Sequence, residues 1–331
     1  MGCPNNCVFC DQRAISGRVH FDEKDAIRLM EESVRTLEGT GRCAEIAFFG
    51  GSFTGIDRTL MIRLLDAAEA FVGHGVSGIR MSTRPDYINA EIIEILKNYT
   101  VSQVELGIQS MSDRVLECSK RGHTAEDTRR AVKLLRDNSF SVVGQMMVGL
   151  PKSSAEDEVF TARQICAMGC DGARIYPTVV FKRTELEAMA ESASYVPLTV
   201  EEAALRCADV LEVFEENGTE CLRIGLCDSE NLHSEEKYHS GPAHPAMGEL
   251  VRGELWRKRI CACLEKRGEK NTPAVIEIPY GAASAVAGQK KRNRREYEKL
   301  CGGKVIIRES SALCGTEFRV YDIQEADEVC I

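Results

Sequence analysis

Residues 142–177, VVGQMMVGLPKSSAEDEVFTARQICAMGCDGARIYP, determine the fold class. The apolar run 142–148 predicts a buried strand that ends at Gly149-Leu150-Pro151, and the residues from 155 to 168 have helical spacing. A second short strand is predicted over 172–176. A strand, a helix and a strand of these lengths form a βαβ unit with parallel strands and a right-handed crossover.

The same alternation extends along the chain in both directions. Upstream strands are predicted at 45–49, 78–83 and 103–107, and a downstream strand at 219–225. The helices predicted between and around them cover residues 22–38, 57–72, 89–99, 124–138 and 198–217. Five or six βα units are too few for a closed eight-stranded barrel, so an open partial barrel or a doubly wound sheet is expected.

Turn-forming and polar residues follow the carboxyl ends of the predicted strands. These segments are Gly50-Gly51-Ser52, Thr83-Arg84-Pro85-Asp86, Gln109-Ser110, Gly149-Leu150-Pro151 and Tyr176-Pro177. Each one alone is typical of an ordinary turn. Because the carboxyl ends of parallel strands lie at one edge, where α/β folds bind ligands, five such segments predict a shared site.

The composition limits the class of protein. The chain has 331 residues, a net charge of −9 and 15 cysteines. The odd count, the chain length and the lack of a secretory signal argue against a disulfide framework. No apolar run approaches the ~20 residues of a membrane span. We therefore expect a cytoplasmic protein without a membrane partner, in which some thiols bind metal and most are buried.

The first ten residues contain Cys3-Pro-Asn-Asn-Cys7-Val-Phe-Cys10. Three thiols within eight residues form a loop that can surround one metal centre. A structural zinc site uses four protein ligands, and an ordinary iron–sulfur cluster uses four cysteines. Three thiolates leave one iron of a cubane cluster open to a small molecule, although a zinc or adventitious metal site is the alternative.

The C-x3-C-x2-C spacing, with Phe9 before the last cysteine, resembles the radical SAM superfamily. The resemblance implies a [4Fe–4S] cluster on Cys3, Cys7 and Cys10 whose open iron binds S-adenosylmethionine (SAM). Within that family one electron, from a donor such as flavodoxin or ferredoxin, cleaves SAM to a 5′-deoxyadenosyl radical. The cofactor supplies the difficult chemistry, and the protein orients the reactants.

The segment Phe48-Phe-Gly-Gly-Ser-Phe-Thr54 is similar to the glycine motif of that superfamily, which contacts the methionyl group of SAM. We expect Gly50, Gly51 and Ser52 to bind SAM, together with Arg84, Gln109 and Ser110 at neighbouring strand ends. Further motifs in fixed order resemble the catalytic subunit of Elongator, a tRNA-modifying enzyme. They are Thr83–Tyr87, Val104–Ser110, Arg121–Thr124, Gln145–Pro151 and Arg174–Pro177.

The resemblance ends near residue 224 and differs from Elongator in two respects. No segment after the loop around His244 is long enough for the acetyltransferase domain, and the region from Gly241–Pro245 through Gly248–Val251 resembles a short bacterial Elongator-like group. The strand that normally leads into the cysteine loop is missing, so either the start codon lies upstream or the barrel lacks one edge strand, and we favour a truncated gene model. We expect a radical SAM partial barrel over 1–225, a loop and helix connector over 226–270, and a small α+β module over 271–331.

The module contains a basic segment, residues 289–299, with six basic and two acidic side chains in eleven. A solvated helix face explains such a segment equally well. Alternatively, the stretch around Gly288 resembles the GxxG loop of the K-homology fold, which clamps single-stranded nucleic acid. That interpretation predicts RNA binding through the basic side chains Lys290, Lys291, Arg292, Arg294 and Arg295.

Together these observations predict a radical SAM enzyme with a partial (β/α)6-type barrel and a carboxyl-terminal α+β module. It is expected to abstract a hydrogen atom from a tRNA or other RNA substrate. Two alternatives stay open at this point: a tetrapyrrole-type radical SAM oxidase, and a non-catalytic iron–sulfur protein that binds RNA.

Overall fold

The computed structural model describes residue 3 and residues 5–10, 21–226, 237–267 and 273–322. The strands before residue 245 are β1 Ala44–Phe48, β2 Val76–Thr83, β3 Val101–Gln109, β4 Ser141–Val148, β5 Gly172–Pro177, β6 Val180–Phe181, β7 Glu220–Ile224 and β8 Tyr238–Ser240. Six of them form one sheet in the order β1-β2-β3-β4-β5-β7, and every pair is parallel. β6 and β8 form a separate antiparallel pair.

The strand order decides between the two expected architectures. A doubly wound sheet reverses its strand order at a switch point, whereas this sheet follows the chain from one edge to the other. Sequential parallel order is that of a (β/α) barrel. The sheet is therefore a partial barrel, and its six carboxyl ends lie along one edge.

The helices of this region follow the strands. They are α1 Glu23–Arg35, α2 Arg58–Glu69, α3 Ala90–Leu96, α4 Asp113–Cys118, α5 Ala125–Asp137, α6 Ala155–Ala167, α7 Glu185–Glu191 and α8 Val200–Glu216. α5 and α6 begin with capping boxes, Thr124 with Asp127 and Ser154 with Asp157. Such boxes satisfy amide groups that the first helical turn leaves unpaired. The sequence did not predict α4, α7 or the β6–β8 pair.

The two faces of the main sheet differ in polarity. Val104 and Leu106 of β3 are fully buried, as the alternation of side chains along a strand requires for the helix-covered face. Glu105, which lies between them, points to the opposite face and is also fully buried. A carboxyl group buried to this extent needs compensating partners.

The carboxyl-terminal module is a second compact unit, formed by residues 207–212 and 246–331. Its elements are α9 Met247–Lys266, β9 Ala274–Pro279, α10 Ala283–Ala287, α11 Arg292–Cys301, β10 Val305–Ser310 and β11 Arg319–Asp322. The sheet order is β10-β9-β11, with β10 parallel and β11 antiparallel to β9. Its core is apolar and surrounds Trp256, Ile276 and Tyr297. The predicted α+β module is confirmed, and α9 contributes to its core.

Two remaining predictions concern loops and membranes. Residues 227–236 and 268–270 of the connector predicted over 226–270 lie outside the described residues. Among the described residues, no helix combines the length and the apolar character needed to cross a bilayer.

Candidate functional site

The three cysteines of the amino-terminal loop line one cavity of about 600 Å³ at the carboxyl edge of the main sheet. The peptide N–H of Cys10 donates to the carbonyl oxygen of Cys7 (3.0 Å), so a tight turn connects these two residues. Val8, between them, is buried, and its peptide bonds the carbonyl of Ser119 (3.2 Å) and the amide of Leu186 (2.8 Å). The structure therefore fixes the loop with its three thiols toward a common space.

Side-chain donors surround two of the thiols. Ser52 Oγ lies 3.4 Å and Asn5 Nδ2 3.8 Å from the Sγ atom of Cys3. Arg121 Nη1 lies 3.3 Å and Arg84 Nη1 3.8 Å from the Sγ atom of Cys7. Cluster thiolates accept such hydrogen bonds, which help to set the reduction potential. The donor set thus fits a three-cysteine iron–sulfur cluster.

The two arginines near Cys7 are held by further bonds. Arg84 donates to both carboxylate oxygens of Asp86, each at 2.9 Å, and also to the carbonyl of Arg121. Burial lowers the pKa of Arg84, but the hydrogen bond and the charge of Asp86 outweigh it, so the pKa is raised. Arg121 Nη2 donates to the carbonyl of Gly107 at 2.5 Å. Two fixed positive charges therefore stand beside the Cys7 sulfur.

The loop Gly50-Gly51-Ser52 lines the cavity next to Cys3. Gly50 has a φ of +97°, a conformation that glycine adopts without strain, and no atom of the described residues beyond its two chain neighbours lies within 4 Å of where its Cβ would be. The main chain at Gly50 is therefore open to a ligand in the cavity. Ser52 is buried, and its hydroxyl is used by the Cys3 contact.

Gln109 ends β3 with a φ of +66°, which is unusual for a residue with a side chain. Its side chain lines the cavity, and among the described residues its buried Oε1 atom has no hydrogen-bond donor. An uncompensated buried acceptor indicates a ligand position. Ser110 is buried outside the cavity lining, and its Oγ accepts the amide of Ser112 at 3.1 Å.

A network of charged side chains occupies the sheet face beneath the cavity. Glu105 accepts hydrogen bonds from Arg80 (2.5 Å), Arg174 (2.8 and 2.9 Å) and Gln145 (2.8 Å). Burial raises the pKa of Glu105, but the Arg174 and Gln145 bonds outweigh it, and the pKa is lowered. Glu105 is therefore an ionised carboxylate that fixes Arg174 and Gln145 in the wall of the cavity.

Much of the rest of the lining is apolar. These side chains are Phe9, Phe49, Met147, Val179, Phe181 and Leu226. Tyr176 and Arg223, at the carboxyl ends of β5 and β7, add polar groups on the same wall. The cavity therefore combines a thiol-lined end, a polar floor and apolar walls, which suits an organic ligand.

Most of the site residues that were expected from the sequence line this cavity. Cys3, Cys7, Cys10, Gly50, Gly51, Ser52, Arg84 and Gln109 all line the cavity, whereas Ser110 does not. Sequence reasoning missed Arg121, Arg80 and Arg223. Arg80 and Arg223 could have been found from the alternation of side chains along a strand, since each is a charged residue within a predicted strand.

The predicted RNA-binding side chains lie on the carboxyl-terminal module. Lys290 and Lys291 have φ values of +50° and +60°, in a four-residue loop that joins α10 to α11. Lys290, Lys291, Arg292 and Arg295 are exposed, while Arg294 bonds Glu298 (3.1 Å) and the carbonyl of Val305 (3.0 Å).

Comparisons with known proteins agree with this arrangement. The Radical SAM superfamily matches residues 1–165, and the Radical_SAM C-terminal domain matches residues 170–257. The tRNA uridine(34) acetyltransferase of Methanocaldococcus infernus is 35% identical over 39% of this chain and 25% of its own length. The Elongator complex protein 3 of Schizosaccharomyces pombe is 27% identical over 54% of this chain and 37% of its own length.

A solved structure shares the fold. The archaeal Elp3 of M. infernus with an N-terminal deletion superposes with a TM-score of 0.60 at 25% identity, over 72% of this chain and 60% of that one. The chain thus spans well under half of the two relatives named by sequence. The family implies a [4Fe–4S] cluster and SAM, for which the thiol-lined cavity has suitable donors. The chain is an enzyme of the radical SAM superfamily, and within it resembles the Elongator catalytic subunit.

Proposed function

We propose that this protein binds a [4Fe–4S] cluster through Cys3, Cys7 and Cys10, cleaves SAM, and abstracts a hydrogen atom from a tRNA. One observation carries the proposal: three thiols line the same cavity as an open glycine main chain and a buried charged floor. When bound, the cluster supplies the electron that breaks a sulfur–carbon bond of SAM and yields a 5′-deoxyadenosyl radical.

The protein's own groups bind and orient the reactants. The peptide groups around Gly50 are positioned to contact the methionyl part of SAM, since this backbone is open to the cavity. Gln109 Oε1 offers an acceptor to a donor such as the adenine amino group. Arg84 and Arg121 donate to Cys7 and keep positive charge beside it. Apolar walls exclude water from a reactive radical.

The proposed tRNA substrate rests on two supports. The first is the similarity of the chain to the tRNA uridine(34) acetyltransferases, which act on tRNA by their name. The second is the basic segment on the module, where Lys290 and Lys291 are exposed in the loop between two helices and Arg292, which pairs with Glu254 at 3.6 Å, is exposed at the start of α11. A helix–loop–helix after a strand is the setting in which a K-homology GxxG loop clamps a nucleic-acid backbone.

The cluster and SAM chemistry are tested by anaerobic reconstitution. We expect a brown protein with bound iron and sulfide that converts SAM to 5′-deoxyadenosine when dithionite supplies electrons. A colourless protein that binds a single zinc ion would contradict the proposal. So would a fully loaded cluster protein that forms no 5′-deoxyadenosine with any tRNA present.

The tRNA substrate is tested separately by binding. We expect the triple variant Lys290, Lys291, Arg292→Glu to bind tRNA at least tenfold more weakly, because it replaces three cationic contacts with repulsive ones. The matched control, Lys24, Lys152, Arg163→Glu, reverses three exposed charges elsewhere and should retain most of the affinity. Equal loss in both variants would indicate non-specific electrostatics. Mass spectrometry of tRNA from a deletion strain identifies the modified nucleoside.

A further inference from the structure

Two arginines lie opposite each other on adjacent strands in the cavity. Arg174 of β5 and Arg223 of β7 are register partners in the main sheet, and both line the cavity. Like charges directly opposite on one face of a sheet destabilise it. The pairing therefore requires compensating negative charge on both side chains, or a bound anion.

In the part of the chain that the structure describes, Arg174 has a carboxylate partner and Arg223 has none. Glu105 receives two hydrogen bonds from Arg174, one from Arg80 and one from Gln145, and so has little remaining capacity for Arg223. Arg223 donates its Nε–H to the carbonyl of Gly225 at 3.2 Å. Among the described residues, none of the ion pairs includes Arg223. Its Nη atoms thus remain available on the cavity wall.

The surroundings of Arg223 point to an organic anion. Leu226, Val179 and Phe181 line the same cavity, together with Tyr176. A guanidinium next to apolar walls is only partly hydrated, which strengthens its interaction with an anion, and its planar fork matches phosphate or carboxylate oxygens. A nucleotide, with a planar base and a phosphate, has this combination of groups.

We propose that Arg223, adjacent to the neutralised Arg174, binds the phosphate of the substrate nucleotide while the thiol-lined end of the cavity holds SAM. The inference rests on the proposed function in one respect: the substrate is a nucleotide of tRNA. The carboxylate of SAM is the other anion that the cavity receives, and the experiment separates the two.

The test is equilibrium binding to the reconstituted protein, without turnover. Uridine 5′-monophosphate and uridine are the probes, measured by saturation-transfer NMR, and SAM is measured by equilibrium dialysis. We expect the monophosphate to bind wild-type protein at least tenfold more tightly than uridine. Arg223→Gln should remove this difference and leave SAM binding unchanged, and Arg223→Lys should restore part of it because the charge remains.

Arg163→Gln, which changes an exposed arginine on α6, is the matched control and should behave as wild type. Thermal unfolding and iron content verify that each variant is folded and loaded. Equal affinity for the monophosphate and uridine, or no binding of either, would overturn the subsite. A loss of SAM binding in Arg223→Gln with the phosphate preference intact would assign Arg223 to the SAM carboxylate instead. Because no step requires 5′-deoxyadenosine formation, failure of the SAM chemistry is distinguishable from failure of the subsite.

Discussion

The barrel sheet and the sheet of the carboxyl-terminal module bury different kinds of side chain. The barrel places Glu105, Arg174 and the thiol of Cys7 in its interior, whereas the module has an apolar core around Ile276 and Tyr297. Buried charges cost free energy unless they are paired, and they persist where they serve a site. The difference supports the proposal that the chemistry takes place in the barrel, since the buried carboxyl of the module, Glu254, lies on α9 and pairs with Arg257.

Replacing one cysteine in each region by alanine should give the largest difference between the barrel and the module, measured as bound iron. We expect Cys7→Ala to reduce bound iron and 5′-deoxyadenosine formation to background, because the cluster loses one of its three ligands. Burial raises the pKa of Cys261, in the module core, to about 12, so this thiol stays protonated. Cys261→Ala should cost only about 1 kcal/mol of stability and retain iron. Iron analysis of both variants is decisive, and equal iron content would refute the assignment of Cys7.

Replacing a carboxylate by an amide should likewise affect the barrel more than the module, measured as the free energy of unfolding. Glu105→Gln removes the buried counter-charge of Arg174 and leaves Arg80 paired with Glu45 alone, and it should lower the free energy of unfolding of the barrel by about 3–5 kcal/mol. Glu296, whose side chain is 39% exposed in its pair with Arg257, belongs to the module. Glu296→Gln should cost less than about 1 kcal/mol. Urea unfolding measures both, and similar costs would remove the proposed distinction.

The barrel should also be the source of acid sensitivity. Burial, together with the charges of Arg121 and Arg84, lowers the pKa of His123 from 6.5 to about 4. The unfolded chain takes up this proton below pH 6.5, but the folded chain does so only near pH 4. The contribution of His123 to the free energy of unfolding is therefore full above pH 6.5 and falls by roughly 3 kcal/mol as the pH drops to 4.

His123→Gln should remove this part of the pH dependence, and His74→Gln, at an exposed histidine, should preserve it. The measurement is denaturant unfolding of cluster-free protein at pH 7, 5.5 and 4. Parallel pH profiles for wild type and His123→Gln would show that another group is responsible.

The smallest expected effect concerns the donors to Cys7. Arg121 lies 3.3 Å from the Sγ atom, and a hydrogen bond to a cluster sulfur stabilises the more negative, reduced state. Arg121→Gln should therefore shift the reduction potential to more negative values by on the order of tens of millivolts. Arg121→Lys, which keeps the charge, should shift it less. Redox titration followed by electron paramagnetic resonance measures the shift, and an unchanged potential in both variants would exclude this role.

The sequence predicted the regular elements well and the cross-strand contacts poorly. The strands of the barrel were located because each is a short segment with apolar residues that is bounded by turn-forming residues, although charged side chains interrupt several of them. The short helices α4 and α7 were not predicted from the sequence, because six or seven residues carry too little periodic signal. The strand order distinguishes the partial barrel from the doubly wound sheet, and local sequence patterns do not contain the strand order.

The candidate site likewise has one part that short motifs predict and another that depends on contacts between distant residues. The three cysteines and the Gly50-Gly51 loop were predictable because their chemistry is contained in short contiguous motifs. The contact of Arg121 with Cys7 joins residues 114 positions apart, and the bonds of Glu105 depend on the register of β2, β4 and β5. Register is a property of the assembled sheet, so these partners cannot be read from spacing.

The burial of Val8 has a consequence for the biogenesis of the protein. Val8 lies between two of the predicted ligands and packs in a small cluster with Val180, Leu186 and Tyr195. These partners leave the ribosome long after the cysteines do. The nascent chain therefore exposes its thiols before their loop is packed, and the proposed cluster site is complete only after most of the barrel has been translated.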